Sequence, residues 1–103
     1  MANYLLTYYG GGMPETAEEQ AQVMAAWTSW FGQLGDALVD GGNPTSQSKA
    51  ISADGSVMDA TMAPTGYSII KADDIDAAVT AAKGCPVLAG GSTVVVSETF
   101  PAM

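Results

Sequence analysis

The 103-residue sequence contains no histidine and no arginine, and it holds a single cysteine, Cys85. Without histidine, the chain lacks the commonest general base, the usual zinc ligand and the usual haem axial ligand. Any chemistry must therefore use carboxylates, tyrosines, lysines, the thiol or the substrate's own reactivity, and we expect no metal or cofactor. A lone cysteine cannot form an internal disulfide, which predicts a reducing, cytoplasmic location.

Positive charge is scarce. The sequence has three lysines and 11 acidic residues, which gives a formal net charge of −8. Binding to a phosphate backbone requires lysine or arginine, so we expect no nucleic acid partner, and for the same reason we expect no binding to anionic membrane surfaces. Apolar runs stay far below the ~20 residues that span a bilayer. The start, MANYLLTYYGG, lacks the basic segment and long apolar stretch of a signal peptide.

Residues 66–96 carry the clearest pattern, a predicted strand, helix and strand. The two strand segments, residues 67–70 and 93–96, are rich in β-branched residues. Val94, Val95 and Val96 are consecutive, so apolar groups point to both sides of the sheet, whereas a half-exposed strand alternates. Both faces of this sheet are therefore predicted to be covered.

The helix between these strands has clear boundary signals. Asp73 or Asp74 is suited to the N-cap, and Gly84 is expected to end the helix with a positive φ before Pro86. One apolar stripe at helical spacing consists of Ile75, Ala78, Val79 and Ala82. These small side chains predict close packing of the helix on a sheet.

In the N-terminal half, the sequence pattern predicts a strand over residues 3–9, a glycine turn at residues 10–12 and then a long helix. Thr16 and Glu19 form a capping box, and the helix is expected to run to about residue 39, ended by Gly41 and Gly42. The glycine turn lacks the spacing of a phosphate-binding loop. Trp27, within the helix, either packs on the sheet or lines a cleft.

The middle of the chain predicts a second strand centred on residues 49–51. Asp54-Gly55 is a hairpin turn signal, and residues 56–64 form either a ragged strand end or a loop over an opening.

The resulting order, β-α-β-β-α-β in one domain over residues 1–103, predicts an α+β fold. We expect the ferredoxin-like arrangement, a four-stranded antiparallel sheet with two helices on one face. Two helices leave the other face bare, and a bare apolar face is larger than monomers usually expose. We therefore expect a homodimer that packs sheet against sheet.

The sequence also resembles the YCII-related (DGPF-domain) family of small bacterial proteins along nearly its whole length. The segments that carry the resemblance are residues 27–44, 48–49, 54–55 and 66–92, most specifically GYSI at 66–69, DIDAA at 74–78 and CP at 85–86. The resemblance implies a single YCII-related domain and a dimeric α/β barrel. Some family members carry a histidine–aspartate pair in a cleft; this chain has no histidine, and the DGPF tetrapeptide is absent.

The first functional hypothesis is a small-ligand-binding or regulatory module without catalysis. Its pocket would lie in the cleft between the first helix and the sheet, or inside the barrel. Candidate polar contacts are Asn43, Thr45, Tyr67 and Ser68, and candidate walls are Trp27, Tyr9 and Met62. The partners expected are a second copy of the chain and a small organic ligand.

Three other hypotheses stay open. A cofactor-independent isomerase or monooxygenase is implied by comparison with other dimeric α/β barrels, with a carboxylate base such as Asp40 or Asp59 whose pKa is raised by burial. A thiol nucleophile at Cys85 is disfavoured, because the residue follows a helix C-terminus where the dipole opposes a thiolate. The last is a purely structural dimerisation module.

Overall fold

The computed structural model describes residues 1–10 and 15–102. The protein is an α+β fold with two α-helices, one four-stranded sheet and a separate two-stranded sheet among these residues. The strands are β1 (Ala2–Tyr9), β2 (Leu38–Asp40), β3 (Lys49–Ile51), β4 (Val57–Asp59), β5 (Gly66–Ala72) and β6 (Thr93–Glu98), and the helices are α1 (Ala17–Leu34) and α2 (Ile75–Ala82). The predicted glycine turn lies largely outside the described residues.

The main sheet has the order β2-β5-β1-β6, and every neighbouring pair is antiparallel. Leu5 at the centre of β1 lies opposite Ile69 of β5 and Ser97 of β6. β3 and β4 pair only with each other across the Asp54-Gly55 turn, which confirms the predicted hairpin. The predicted second strand, centred on residues 49–51, therefore belongs to the hairpin and not to the main sheet.

The first helix is shorter than predicted, because it ends at Leu34 and not near residue 39. Gly35, at φ 53°, caps the helix, and its N–H bonds the carbonyl of Phe31. A short 3₁₀ turn follows, and β2 then pairs with β5, Leu38 lying opposite Ile70 and Asp40 opposite Ile69. The prediction that Gly41 and Gly42 end the helix is wrong for the same reason: both glycines follow a strand.

Both predicted helix N-caps are present. Thr16 Oγ1 accepts from the N–H of Glu19 at 3.1 Å, and Asp74 Oδ1 accepts from the N–H of Ala77 at 2.8 Å. The capping box is only half closed, because the Glu19 carboxylate accepts from the N–H of Glu15 instead of Thr16. These bonds satisfy amide groups that the first helical turn leaves without partners.

The end of α2 differs from the prediction. Lys83 caps the helix at φ −61°, and Gly84 does not have a positive φ. Instead, a Cβ on Gly84 would lie 3.1 Å from Cδ1 of Trp30, so this glycine allows close contact between the helices.

The core lies between the helices and one face of the sheet. Its buried members are Tyr4, Leu6, Tyr8, Trp30, Ile70, Ala78, Ala82 and Cys85. In the predicted stripe of α2, the two alanines are buried, but Ile75 and Val79 are 45% and 38% exposed. The alanines alone let α2 approach the sheet closely.

The opposite face of the sheet carries no helical layer among the described elements. The cross-strand row Tyr67, Thr7 and Val95 lies on it, as does the pair Leu5 and Ile69. The molecule measures 44 × 39 × 18 Å, and its thickness fits one sheet with one layer of helices. We call this surface the open face.

Candidate functional site

Aromatic rings occupy the space between α1 and the sheet, where a ligand cleft was one of the two predicted positions. Trp27 contacts Tyr8 edge-on at 5.5 Å between ring centroids, and it lies 5.6 Å from Trp30 and 5.5 Å from Phe31. Such geometries are favourable for aromatic pairs. Of the two roles predicted for Trp27, packing against the sheet is therefore the one observed.

Beneath this cluster, Tyr8 and Ser68 form a buried polar chain. The Tyr8 hydroxyl donates to Ser68 Oγ at 2.7 Å, and Ser68 Oγ donates to the carbonyl of Gly41 at 2.7 Å. Ser68 is completely buried. Ser68 was predicted as a ligand contact, but its hydroxyl is already hydrogen-bonded to Tyr8 and Gly41, and so it connects β5 to β1 and to the segment after β2.

Cys85 lies at the edge of the same core and is 3% exposed. Burial raises the pKa of its thiol, and hydrogen bonding with Val87 and Tyr8 offsets this only in part. Burial also raises the pKa of the Tyr8 hydroxyl. Both groups are therefore held in their neutral forms, which disfavours a thiolate nucleophile.

Asn43 and Tyr67 come together at one end of the open face. Asn43 Nδ2 lies 3.5 Å from the Tyr67 hydroxyl, and the Asn43 carbonyl accepts from the Tyr67 N–H at 3.3 Å. The β1–β5 register pairs Thr7 with Tyr67, which puts Tyr9 at the diagonal position on the same face. Asn43, Tyr67 and Tyr9 thus form the candidate site, whereas Trp27 and Ser68 lie on the helical side.

Thr45 lies next to this group and holds the base of the hairpin. Its N–H donates to the carbonyl of Thr65 at 3.0 Å, and its hydroxyl donates to the carbonyl of Pro64. Pro44 forms an isolated bridge with Gly66. Met62, predicted as a wall, lies beyond this point and is 77% exposed.

Gly42 was not predicted as a site residue, yet it sets the position of Asn43. It adopts φ 75°, and a Cβ there would lie 1.7 Å from the carbonyl oxygen of Tyr67. Its N–H donates to Asp40 Oδ1 at 2.8 Å, which fixes the turn. The Gly-Gly-Asn-Pro sequence is the signal that could have identified this turn.

The carboxylates proposed as bases are both exposed in the single chain. Asp59 is 91% exposed at its side chain and pairs with Lys49 Nζ at 2.7 Å. Asp40 is also exposed and accepts from Gly42. The burial that a carboxylate base was expected to have is therefore absent at both positions.

Two surface depressions lie away from Asn43 and Tyr67. One, of about 190 Å³, lies between α2 and β6 and is lined by Val79, Ala82, Lys83, Leu88, Val94 and Val96. The other, of about 590 Å³, is lined by residues from both chain ends, including Met1, Asn3 and Phe100. Both are open to solvent.

Residues 1–10 and 15–102 contain no cluster of three or more side chains suited to hold a metal ion. In the same part of the chain, neither helix has the length and apolar character needed to cross a bilayer. Comparisons with protein-family models and with curated proteins gave no match. The resemblance to the YCII-related family therefore stays a prediction.

Proposed function

We propose that the protein is a YCII-related, homodimeric small-ligand-binding module, with its site at the Asn43–Tyr67 end of the open face. In this proposal two chains pack face to face as a dimeric α/β barrel. If the β3–β4 hairpin is taken as an insertion, the remaining elements follow the succession β-α-β-β-α-β. Together with the strand order β2-β5-β1-β6, this succession supports a ferredoxin-like arrangement.

The open face has the chemistry of a surface that another sheet can cover. At its centre, Leu5 lies beside Ile69, and Thr7 lies between Tyr67 and Val95. Lys71 lies at one end of the face. Many of the acidic groups lie instead in or beside the helices, as Glu18, Glu19, Asp73, Asp74 and Asp76 do. Two chains of net charge −8 can therefore approach through these faces with less repulsion than through their helices.

The ligand class follows from the groups at the site. Asn43 offers an amide and Tyr67 a phenol, and the hydrogen bond between them is long, at 3.5 Å, so a ligand group can replace it at little cost. Tyr9 adds an aromatic wall on the same face. Since Lys71 lies opposite Asn3, toward the other end of the face, we expect a neutral or cationic small molecule and disfavour an organic anion.

The single observation that carries this proposal is the placement of Asn43 against Tyr67 on a sheet face that no helix covers. A thermal-shift screen comparing neutral, cationic and anionic compounds tests it. A ligand that binds the folded chain raises the melting temperature, and the change Tyr67→Phe should remove most of that rise. Lys71→Gln, at the distant end of the same face, is the matched control and should keep the rise.

The proposal fails if the chain is monomeric at micromolar concentration, or if Tyr67→Phe responds to every ligand as the unchanged protein does. A dimer that no compound stabilises would favour the purely structural dimerisation module instead.

A further inference from the structure

The β3–β4 hairpin, with its flanks at residues 46–63, extends from the body of the protein, and we call it the arm. Within the described residues, its strands pack mainly on each other and make little contact with the main sheet or the helices. The Cα radius of gyration is 15.1 Å. A compact chain of this length has a radius of about 13 Å, so the arm makes the molecule unusually extended.

The arm has a defined conformation. Its register pairs Lys49 with Asp59 and Ile51 with Val57, and Lys49 Nζ lies 2.7 Å from the Asp59 carboxylate. At the tip, Asp54 Oδ1 accepts from the N–H of Ser56 at 2.9 Å. The bonds of Thr45 to Pro64 and Thr65 fix its base.

Large apolar side chains cover the arm, although nothing in the single chain buries them. Ile51 and Val57 form a cross-strand pair on one face and are 74% and 66% exposed, while Met58 and Met62 are 48% and 77% exposed. An isolated two-stranded hairpin is only marginally stable in water, and it needs packing for independent stability. A covering surface is therefore expected.

The open face alone is smaller than the interface of a stable dimer, which indicates that a second copy of the chain also covers the arm. The four strands have three to eight residues, so they average about 20 Å in length at a spacing of about 4.8 Å, and the footprint of the face is roughly 400 Å². A stable protein interface buries about 800 Å² per partner. Face-to-face packing of two chains therefore needs additional contact, and the arm provides apolar surface that is not used elsewhere.

The low charge of the arm also favours a second copy of this chain as the partner that covers it. The arm carries one lysine and two aspartates, whereas the whole chain has a net charge of −8. One of those aspartates is already paired with Lys49. The arm is therefore a region where two strongly acidic chains can meet without bringing many like charges together.

We propose that the arm of each chain packs its Ile51–Val57 face onto the second copy and supplies a large part of the dimer interface. This inference depends on the dimer of the proposed function, and it adds the segment that holds the dimer together.

The test uses a double variant in which both residues are replaced by threonine, Ile51→Thr and Val57→Thr. Threonine keeps the β-branched shape that favours the hairpin but removes apolar surface. Because each dimer contains two arms, we expect the dissociation constant to rise at least about a hundredfold. Sedimentation velocity over a dilution series measures it, and near-UV circular dichroism of Trp30, which is buried, and Trp27, which is half-buried, verifies the fold. Met24→Thr, on α1 where Met24 is 70% exposed, is the control and should leave dimerisation unchanged.

The outcomes separate the two proposals. A monomeric unchanged protein overturns both. If Val95→Asp on the open face dissociates the dimer while the double threonine variant does not, the face-to-face dimer stands and the role of the arm is overturned. Hydrogen exchange gives a second measure: amides of residues 49–59 should exchange slowly in the dimer and quickly on dilution, and equal rates would also overturn the arm.

Discussion

The indole Nε1 of Trp30 donates a hydrogen bond to the carbonyl oxygen of Ala81, 3.1 Å away, and so joins α1 to the end of α2. Gly84 lies against the same indole ring, where a Cβ would come within 3.1 Å of Cδ1. The two helices are therefore held together beside a residue that has no side chain and follows the end of α2.

Adding a methyl group at this contact should destabilise the protein. We expect Gly84→Ala to lower the free energy of unfolding by about 1–2 kcal/mol, because the buried Trp30 must shift to make room. Urea unfolding measures this change. Gly32→Ala is the matched control: its Cβ would enter open space within α1, and helix propensity predicts a gain of up to about 1 kcal/mol. Equal stability of the two variants would contradict the contact.

Gly42→Ala should have a larger effect. An alanine Cβ would overlap the Tyr67 carbonyl oxygen, and φ 75° is unfavourable for any L side chain, so we expect a loss of at least about 3 kcal/mol or failure to fold. Thermal unfolding is a suitable measurement. Gly55→Ala is strained in φ but meets open space, and it should cost only about 1–2 kcal/mol. A mild effect at Gly42 would mean that the segment before Asn43 can move.

Stability should fall at alkaline pH. Burial raises the pKa values of Cys85 and Tyr8, so the folded chain keeps protons that the unfolded chain releases. Their contribution is complete below about pH 8, and it is lost as pH rises past the unfolded values of about 8.5 for the thiol and about 10 for the phenol. Urea unfolding at a series of pH values measures the decline.

The variant Cys85→Ala separates the two groups. Its stability should begin to decline only near the ionisation of the phenol, because the thiol contribution is gone. Rapid alkylation of Cys85 at neutral pH in the folded protein would contradict its burial.

The N-cap of α2 allows a test of hydrogen bonding apart from charge. Asp74→Ala removes the acceptor for the Ala77 N–H and should cost about 1 kcal/mol. Asp74→Asn keeps an acceptor, so it should cost a few tenths of a kcal/mol, the part due to the helix dipole. Chemical denaturation compares the two variants. A loss of the same size in both would assign the effect to charge.

Local signals predicted local structure well in this chain. Thr16 and Asp74 accept the N-cap bonds expected of them, and Asp54-Gly55 forms the expected hairpin turn. The strand Leu38–Asp40 was missed, because Leu34 and Leu38 continue the helical spacing of α1. That strand gains its hydrogen bonds from β5, about 30 residues later, and no nearby residue signals this pairing.

The candidate site could be predicted only in part, because neighbouring residues of a strand point to opposite faces. Tyr67 and Ser68 were predicted as contacts in one pocket, but Tyr67 lies on the open face and Ser68 is buried beneath the helices. Asn43 and Tyr67, which were both predicted as ligand contacts, lie next to each other because the turn at Gly42 returns the chain to the edge of β5. A sheet face without helices was predicted, because two helices can cover only one face of a four-stranded sheet.

The irregular pairing of β2 with β5 has a consequence for how copies of this chain can associate. β2 has three residues, and its register shifts between Leu38 and Asp40. A short and bulged border offers a poor template for adding further strands. Addition of further strands, which would extend the sheet into long ribbons, is therefore hindered at the β2 edge.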